Sequence, residues 1–139
     1  MTRVLVVAPY PPSTDPLAAT ALAYVRALRA AGHVVDVWSP EPSAARYHGR
    51  LTAPAGLLTL ARVTRGCDRV RVYFRADCHP APPAAAQGML RVALRAALGP
   101  VPRVEVVPCG PDAAASPTFV MFVAAGADVV QPDRTEDAP

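Results

Sequence analysis

The sequence predicts an α/β domain, a mostly parallel five-stranded sheet with helices on both faces. Three observations predict it. A continuous β-branched and aliphatic run, Val4 to Ala8, has the pattern of a strand buried on both faces. The apolar positions then change to helical spacing and stop at a glycine. The same alternation of strand and helix recurs down to residue 131, which implies parallel strands joined by right-handed crossovers.

Each element follows in order. The first strand is Val4 to Ala8, expected at the centre of the sheet. Leu17, Ala21, Val25 and Leu28 recur at helical spacing, Arg26 and Arg29 fall on the opposite face, and Gly32 stops the first helix. Val34 to Trp38 is the second strand, and Pro40 to Gly49 is a loop. Thr52 and Pro54 mark the start of a second helix that carries Leu57, Leu60 and Val63 and ends at Gly66. The third strand, Arg69 to Phe74, alternates Arg with Val at its start, which suits an edge strand with one solvated face.

A Pro-rich loop, "RADCHPAPP", leads to a third helix from Met89 to Leu98, closed by Gly99-Pro100. Val104 to Val107 is the fourth strand. Ser116 caps a fourth helix with Pro117 in its first turn, and Asp128 to Gln131 is the fifth strand. The expected order is 3-2-1-4-5, a single Rossmann-like three-layer domain over residues 1–131 with a flexible tail over 132–139. Ligands then belong outside the carboxyl ends of strands one and four, which places the opening loop beside "PCGP" at 108–111.

Composition narrows the function. At 139 residues, 52% hydrophobic and formal net charge +3, the chain is a normal size for one soluble domain with its own core. All fourteen basic residues are Arg, and Lys, Ile and Asn are absent, a codon bias and not a ligand signal. The charge is too small for a nucleic-acid role, and Arg62, Arg65, Arg69, Arg71 and Arg75 lack an interleaved stacking pattern. Cys67, Cys78 and Cys109 form no C-x-x-C pair, so neither a disulfide framework nor a zinc site is expected. Phe119 to Val130, the most apolar later stretch, is broken by Gly126 and Asp128 and is shorter than the ~20 residues that cross a bilayer. A cytoplasmic protein with no transmembrane segment, no metal and no resident cofactor is expected.

Several α/β chemistries lack their residues. The turn after strand one reads Pro9-Tyr10-Pro11-Pro12, without the glycines that let backbone approach a pyrophosphate. A P-loop needs a lysine, and no Gly-x-Ser-x-Gly elbow occurs.

The stretch "TRVLVVAPYPPSTDPLAATALAYVRALRAAGHVVDVWSP", residues 2–40, resembles the opening of the N-terminal domain of retaining, sugar-nucleotide-dependent GT-B glycosyltransferases. The shared order is strand, Pro-Pro loop, amphipathic helix ending in Leu-x-x-x-Gly-His, and a Val-rich strand ending near Ser/Thr-Pro. "CDRVRVYF", "VEVVPCG" and "AAGADVVQPD" are similar to later segments of that domain. The resemblance implies an acceptor-side domain. The family's donor half, with its Glu-x7-Glu motif, has no counterpart among Glu41, Glu105 and Glu136.

The resemblance also assigns positions. The family's diphosphate-facing Gly-Gly falls on Asp15-Pro16, its helix His on Thr20, and the His-Gly after strand four on Cys109-Gly110. Proline has no N–H to offer, and an Asp carboxylate repels phosphate. The opening loop then reads as an acceptor-side wall, with Pro11, Ser13, Thr14 and Asp15 in it. Arg75, Asp77 and His79 at the end of strand three complete the candidate cleft.

Blander readings stand beside these. Asp15 before Pro16 is a helix-start pair, His33 leads into the second strand, and Cys109 is a buried inert thiol. Partners implied are a separate donor-domain chain or self-association, and a sugar or lipid-linked sugar acceptor. The alternatives are a non-catalytic Rossmann-like interaction module binding a protein or small ligand, or a truncated remnant.

Overall fold

A computed structural model describes residues 2–51, 53–75, 88, 91–92, 95, 103–110 and 113–131. In chain order these form β1 (Arg3–Val7), α1 (Pro16–Ala30), β2 (Val34–Ser39), β3 (Tyr47–His48), α2 (Pro54–Thr64), β4 (Arg69–Arg75), β5 (Arg103–Cys109), a 3₁₀ turn (Ala113–Ala115), α3 (Pro117–Ala124) and β6 (Asp128–Val129). The sheet runs β3-β2-β1-β4-β5-β6, and every strand pairing in it is parallel. This is the expected Rossmann-like α/β domain, with six strands in place of five. The helix expected over Met89 to Leu98 lies mostly outside the described residues; Gly88, Arg91, Val92 and Arg95 are helical.

Two placements differ from expectation. The strand Tyr47–His48 arises inside the stretch read as loop and takes the outer position beside β2. Arg69–Arg75, expected at an edge, is instead central, paired with β1 through Val4↔Arg69 to Val7↔Val72 and with β5 along its whole length. The reason is electrostatic. Arg69 and Arg71 do not need water because the carboxylate of Glu105, on the neighbouring strand, lies 3.7 Å from each of them. Consequently β4 separates β1 from β5, and the opening loop and residues 108–110 do not follow adjacent strands.

Alternation distributes the sheet's side chains between two cores. Leu5, Val7, Trp38, Val70, Val72 and Phe74 pack with Leu57, Leu60 and Val63 of α2 and Met121 and Phe122 of α3. Val4, Val6, Val35, Val37, Tyr73 and Val107 pack on the opposite face with Ala21 and Val25 of α1.

Helix ends follow local chemistry. Asp15 has extended backbone and its side chain accepts from the Leu17 N–H at 2.9 Å, with Pro16 in the first turn. At the other end Gly32 takes φ 91°, and the His33 N–H donates to the Leu28 carbonyl at 3.1 Å. This is the glycine-closed helix stop that the left-handed conformation permits. His33 therefore has a structural role in the turn. The α3 stop repeats it, with Gly126 at φ 84° and Ala127 N–H on Phe122 O. Ser116 stands at the N-cap of α3, but its side chain makes no capping hydrogen bond.

Gly56 sits in the first turn of α2, where a Cβ would press on the main-chain carbonyl oxygen of Arg50. A glycine-to-alanine change within a helix normally stabilises, yet here backbone must move. Gly56→Ala is expected to lower stability by about 2 kcal/mol, measured by urea unfolding; a gain would show that α2 and the Arg50 turn are not in this contact.

Burial pushes the Cys67 thiol up from its ordinary value of 9.0, the nearby Arg3 charge opposing part of that rise. Its folded value exceeds its unfolded one, so its contribution is complete below pH 9.0 and fades as pH rises through the folded value. The urea midpoint should fall as pH rises past 9.0, and should fall less steeply in Cys67→Ala. An equal slope in both proteins would remove Cys67 as the cause.

Candidate functional site

Parallel strands bring their carboxyl ends to one rim, and ligands of open α/β sheets bind outside that rim. Here the rim carries the loop from Pro9 to Asp15 after β1, the end of β4 and the end of β5. The loop is tied down by its own polar groups. Ser13 N–H donates to Tyr10 O at 3.1 Å, and Ala44 N–H donates to Pro11 O at 3.0 Å. The Ser13 hydroxyl donates to Glu41 Oε2 at 2.9 Å and accepts from the Asp15 N–H at 3.3 Å. Glu41 N–H in turn donates to the buried Ser39 hydroxyl at 3.3 Å.

Asp15 joins the loop to the sheet. Its Oδ1 accepts both the Leu17 N–H and Arg75 Nη1, the latter at 3.0 Å. The pair is partly enclosed, with side chains 28% and 11% exposed for Arg75 and Asp15. Arg75 is also directly opposite Cys109 in the β4–β5 register. Tyr73 and Val107, two residues earlier on each strand, share the α1-side core, so alternation sends Arg75 and Cys109 to that same face.

Of the residues singled out from sequence, Ser13, Asp15 and Arg75 are joined by hydrogen bonds on the rim, and Cys109 stands opposite Arg75 in the strand register. Pro11 anchors the loop through its carbonyl. Thr14 is exposed on the loop, Thr20 is half-buried on α1, and Gly110 is exposed at φ 88° just beyond Cys109. Asp77 and His79 lie outside the described residues. The half-buried Cys109 thiol has a long contact, 3.7 Å, to the Val107 carbonyl. Glu41 and Ser39 were not anticipated. The sequence signal available for them was the strand end "SPEP", a short polar patch at the carboxyl end of β2.

The arrangement has a chemical consequence. A helix N-terminus favours negative charge, and at α1 that position is filled by the protein's own carboxylate. An incoming phosphate would have to displace Asp15 from Leu17 and Arg75. What remains is a carboxylate, a hydroxyl and a guanidinium, a set suited to neutral hydroxylated ligands. Among the described residues no three His, Cys, Asp or Glu side chains are grouped to hold a metal, and no helix is long and apolar enough to cross a membrane.

Asp15→Ala removes both the cap and the ion pair and should cost about 1 to 2 kcal/mol. Asp15→Asn keeps the cap, so its own loss in urea unfolding reads the Arg75 interaction and the difference between the two variants reads the cap. Equal losses would mean that the cap contributes nothing.

No family model and no curated protein matches the chain. Among solved structures the chain is similar to an alpha-glucosyltransferase determined in complex with UDP and a 13-mer DNA containing an HMU base. The identity is 11% and the TM-score 0.63, over 93% of this chain and 37% of that one. It is also similar to a diflavin flavoprotein A3 from Nostoc sp., at 19% identity and TM-score 0.53, over 96% of this chain and 80% of that one. At these identities the likeness is one of fold alone. The chain spans little more than a third of the glucosyltransferase's length.

Proposed function

We propose that the chain is a glycosyltransferase-like acceptor-side domain, not catalytic alone, whose donor-binding half is supplied by another domain or chain. The observation that carries this reading is the Asp15–Arg75 pair at the start of α1. It fills the diphosphate position with like charge and leaves Ser13, Thr14, Glu41 and Arg75 on the rim as donors and acceptors for sugar hydroxyls. The fold likeness to 37% of a glucosyltransferase supports it, as does the order of segments over residues 2–40.

The test is a titration of the full chain with maltose, with a prenyl-phosphate-linked sugar and with UDP-glucose, followed by amide NMR. A saccharide acceptor should shift Ser13, Thr14 and Arg75, and UDP-glucose should be neither bound there nor consumed. Turnover of UDP-glucose by this chain alone, or a rim that responds to UDP and to neither sugar, would overturn the proposal.

One observation favours a second reading, a non-catalytic interaction module. The eight residues of α3 carry no charge, and Val120 and Val123 on it are exposed, as is Val129 on β6. Surface helices ordinarily present a polar outer face. Light scattering separates the readings: a concentration-dependent mass that falls on Val120→Glu supports self-association, and a monomer at all concentrations removes that form of it.

A further inference from the structure

Beside the base of the Pro9–Asp15 loop, a cavity of about 330 Å³ lies along the outer side of β2. Tyr10, Arg29, Val35, Val37, Ala45 and Arg46 are among the residues that line it. It exists because β3 covers only the last part of β2, pairing at Trp38 and Ser39 and leaving Val34 to Val37 without a strand on that side. Val34 N–H donates to Thr2 O and Trp38 O accepts from Ala8 N–H, so those two residues face β1. Main-chain groups alternate along a parallel strand, which turns Val35 and Val37 toward the cavity.

Two acceptors in this cavity are in use: Val35 O takes Arg29 Nη2 at 3.1 Å, and the Asp36 carboxylate is held by Arg3 at 3.1 Å and Arg46 at 3.2 Å. Its donors are open. Arg29 and Arg46 each spend one nitrogen in the contacts just given, of the five N–H groups that a guanidinium carries. Tyr10 is only 8% exposed, and its hydroxyl has no hydrogen-bond partner among the described residues. Two guanidinium groups, Arg3 and Arg46, hold the single carboxylate of Asp36, and Arg29 stands on the neighbouring Val35 carbonyl.

We propose that this cavity binds a small amphipathic anion, a carboxylate or phosphate attached to an apolar ring. The oxyanion meets Arg29, Arg46 and the Tyr10 hydroxyl, and the apolar part lies against Val35, Val37, Ala44 and Ala45. An added peptide strand fits less well, because it would need the Val35 carbonyl that Arg29 occupies and would bring donors to a groove already rich in them. The volume is at the lower end of the ~300 to 1,000 Å³ found for ligand pockets, which selects a single-ring ligand over a nucleotide sugar. The inference does not rest on the glycosyltransferase-like reading, since neither Asp15 nor Arg75 lines the cavity and Tyr10 alone is shared with the rim loop.

The experiment titrates the nitrogen-15-labelled full chain with benzoate, phenyl phosphate, inorganic phosphate, benzyl alcohol and an acetylated Glu-Val-Glu-Val peptide. At least one aromatic anion should give saturable shifts centred on Val35, Val37, Ala44 and Ala45 below about 10 mM; which one binds tighter identifies the oxyanion. Arg29→Gln should weaken it about tenfold and Tyr10→Phe about fivefold, each with an unchanged thermal midpoint. Benzyl alcohol binding as tightly as the anions would overturn the proposal, as would inorganic phosphate matching phenyl phosphate. So would peptide binding without either aromatic anion, or both variants leaving the affinity unaltered. Failure at these residues leaves the saccharide titration of the rim untouched, so the two proposals fail separately.

Discussion

Phe74→Ala is expected to lower the free energy of unfolding by about 4 kcal/mol. Phe74 has no exposed surface, belongs to the core shared with α2 and α3, and its ring centroid lies 6.2 Å from that of Phe119. Truncation removes the transfer energy of the ring and leaves a cavity walled by strand and helix side chains that cannot collapse. The magnitude discriminates between placements of β4. At an edge the same ring would be partly wet and its loss would cost about half as much. A urea-derived loss below about 2 kcal/mol would contradict the central position of this strand.

Glu105→Ala should cost about 3 kcal/mol, for a different reason. Glu105 is 5% exposed and is shared by Arg103 at 3.0 Å and by Arg69 and Arg71 at 3.7 Å. The Arg103 contact is the shortest of the three, and all three are ion pairs. Arg71 is the most enclosed of the three, its side chain 12% exposed, with its guanidinium carbon 4.3 Å from the Tyr24 ring centroid and 5.2 Å from that of Tyr73. Without the carboxylate, three positive charges face one another between β4 and β5. Glu105→Gln preserves the volume and should lose somewhat less, about 2 kcal/mol. Because Glu105 and Arg71 are enclosed, the larger part of both losses should persist in about 0.5 M salt. Losses that vanish with salt would mean that the cluster acts as ordinary surface charge.

This same cluster explains where sequence reading succeeded and where it did not. The first strand, α1 and β2 were legible because their signals are local: an apolar run, a helical stripe, an Asp-Pro start and a Gly32 stop. The position of β4 was not legible. The alternation of Arg69, Val70, Arg71 and Val72 looks like a solvated face, and its cancellation by Glu105 comes from a residue more than thirty positions later. Strand β3 has two residues, too few for any period to register. At the rim, Asp15 and Arg75 were each recognisable as candidates, but a contact spanning sixty residues is a property of the sheet order. Glu41 was not legible as a rim residue because its partner Ser13 reaches it only through the packing of two loops.

The outer strands of the sheet have a consequence for how the chain behaves in a crowded solution. β3 and β6 have two residues each, against seven in β4 and seven in β5. A long, flat outer strand is a template on which other chains polymerise into fibrils. Two residues present too few ladder groups to seed that growth, and Asp128 places a charge on one of them. The central Val-rich strands β1 and β4 each lie between two partners of their own, while β2 and β5 are covered on their outer sides only in part.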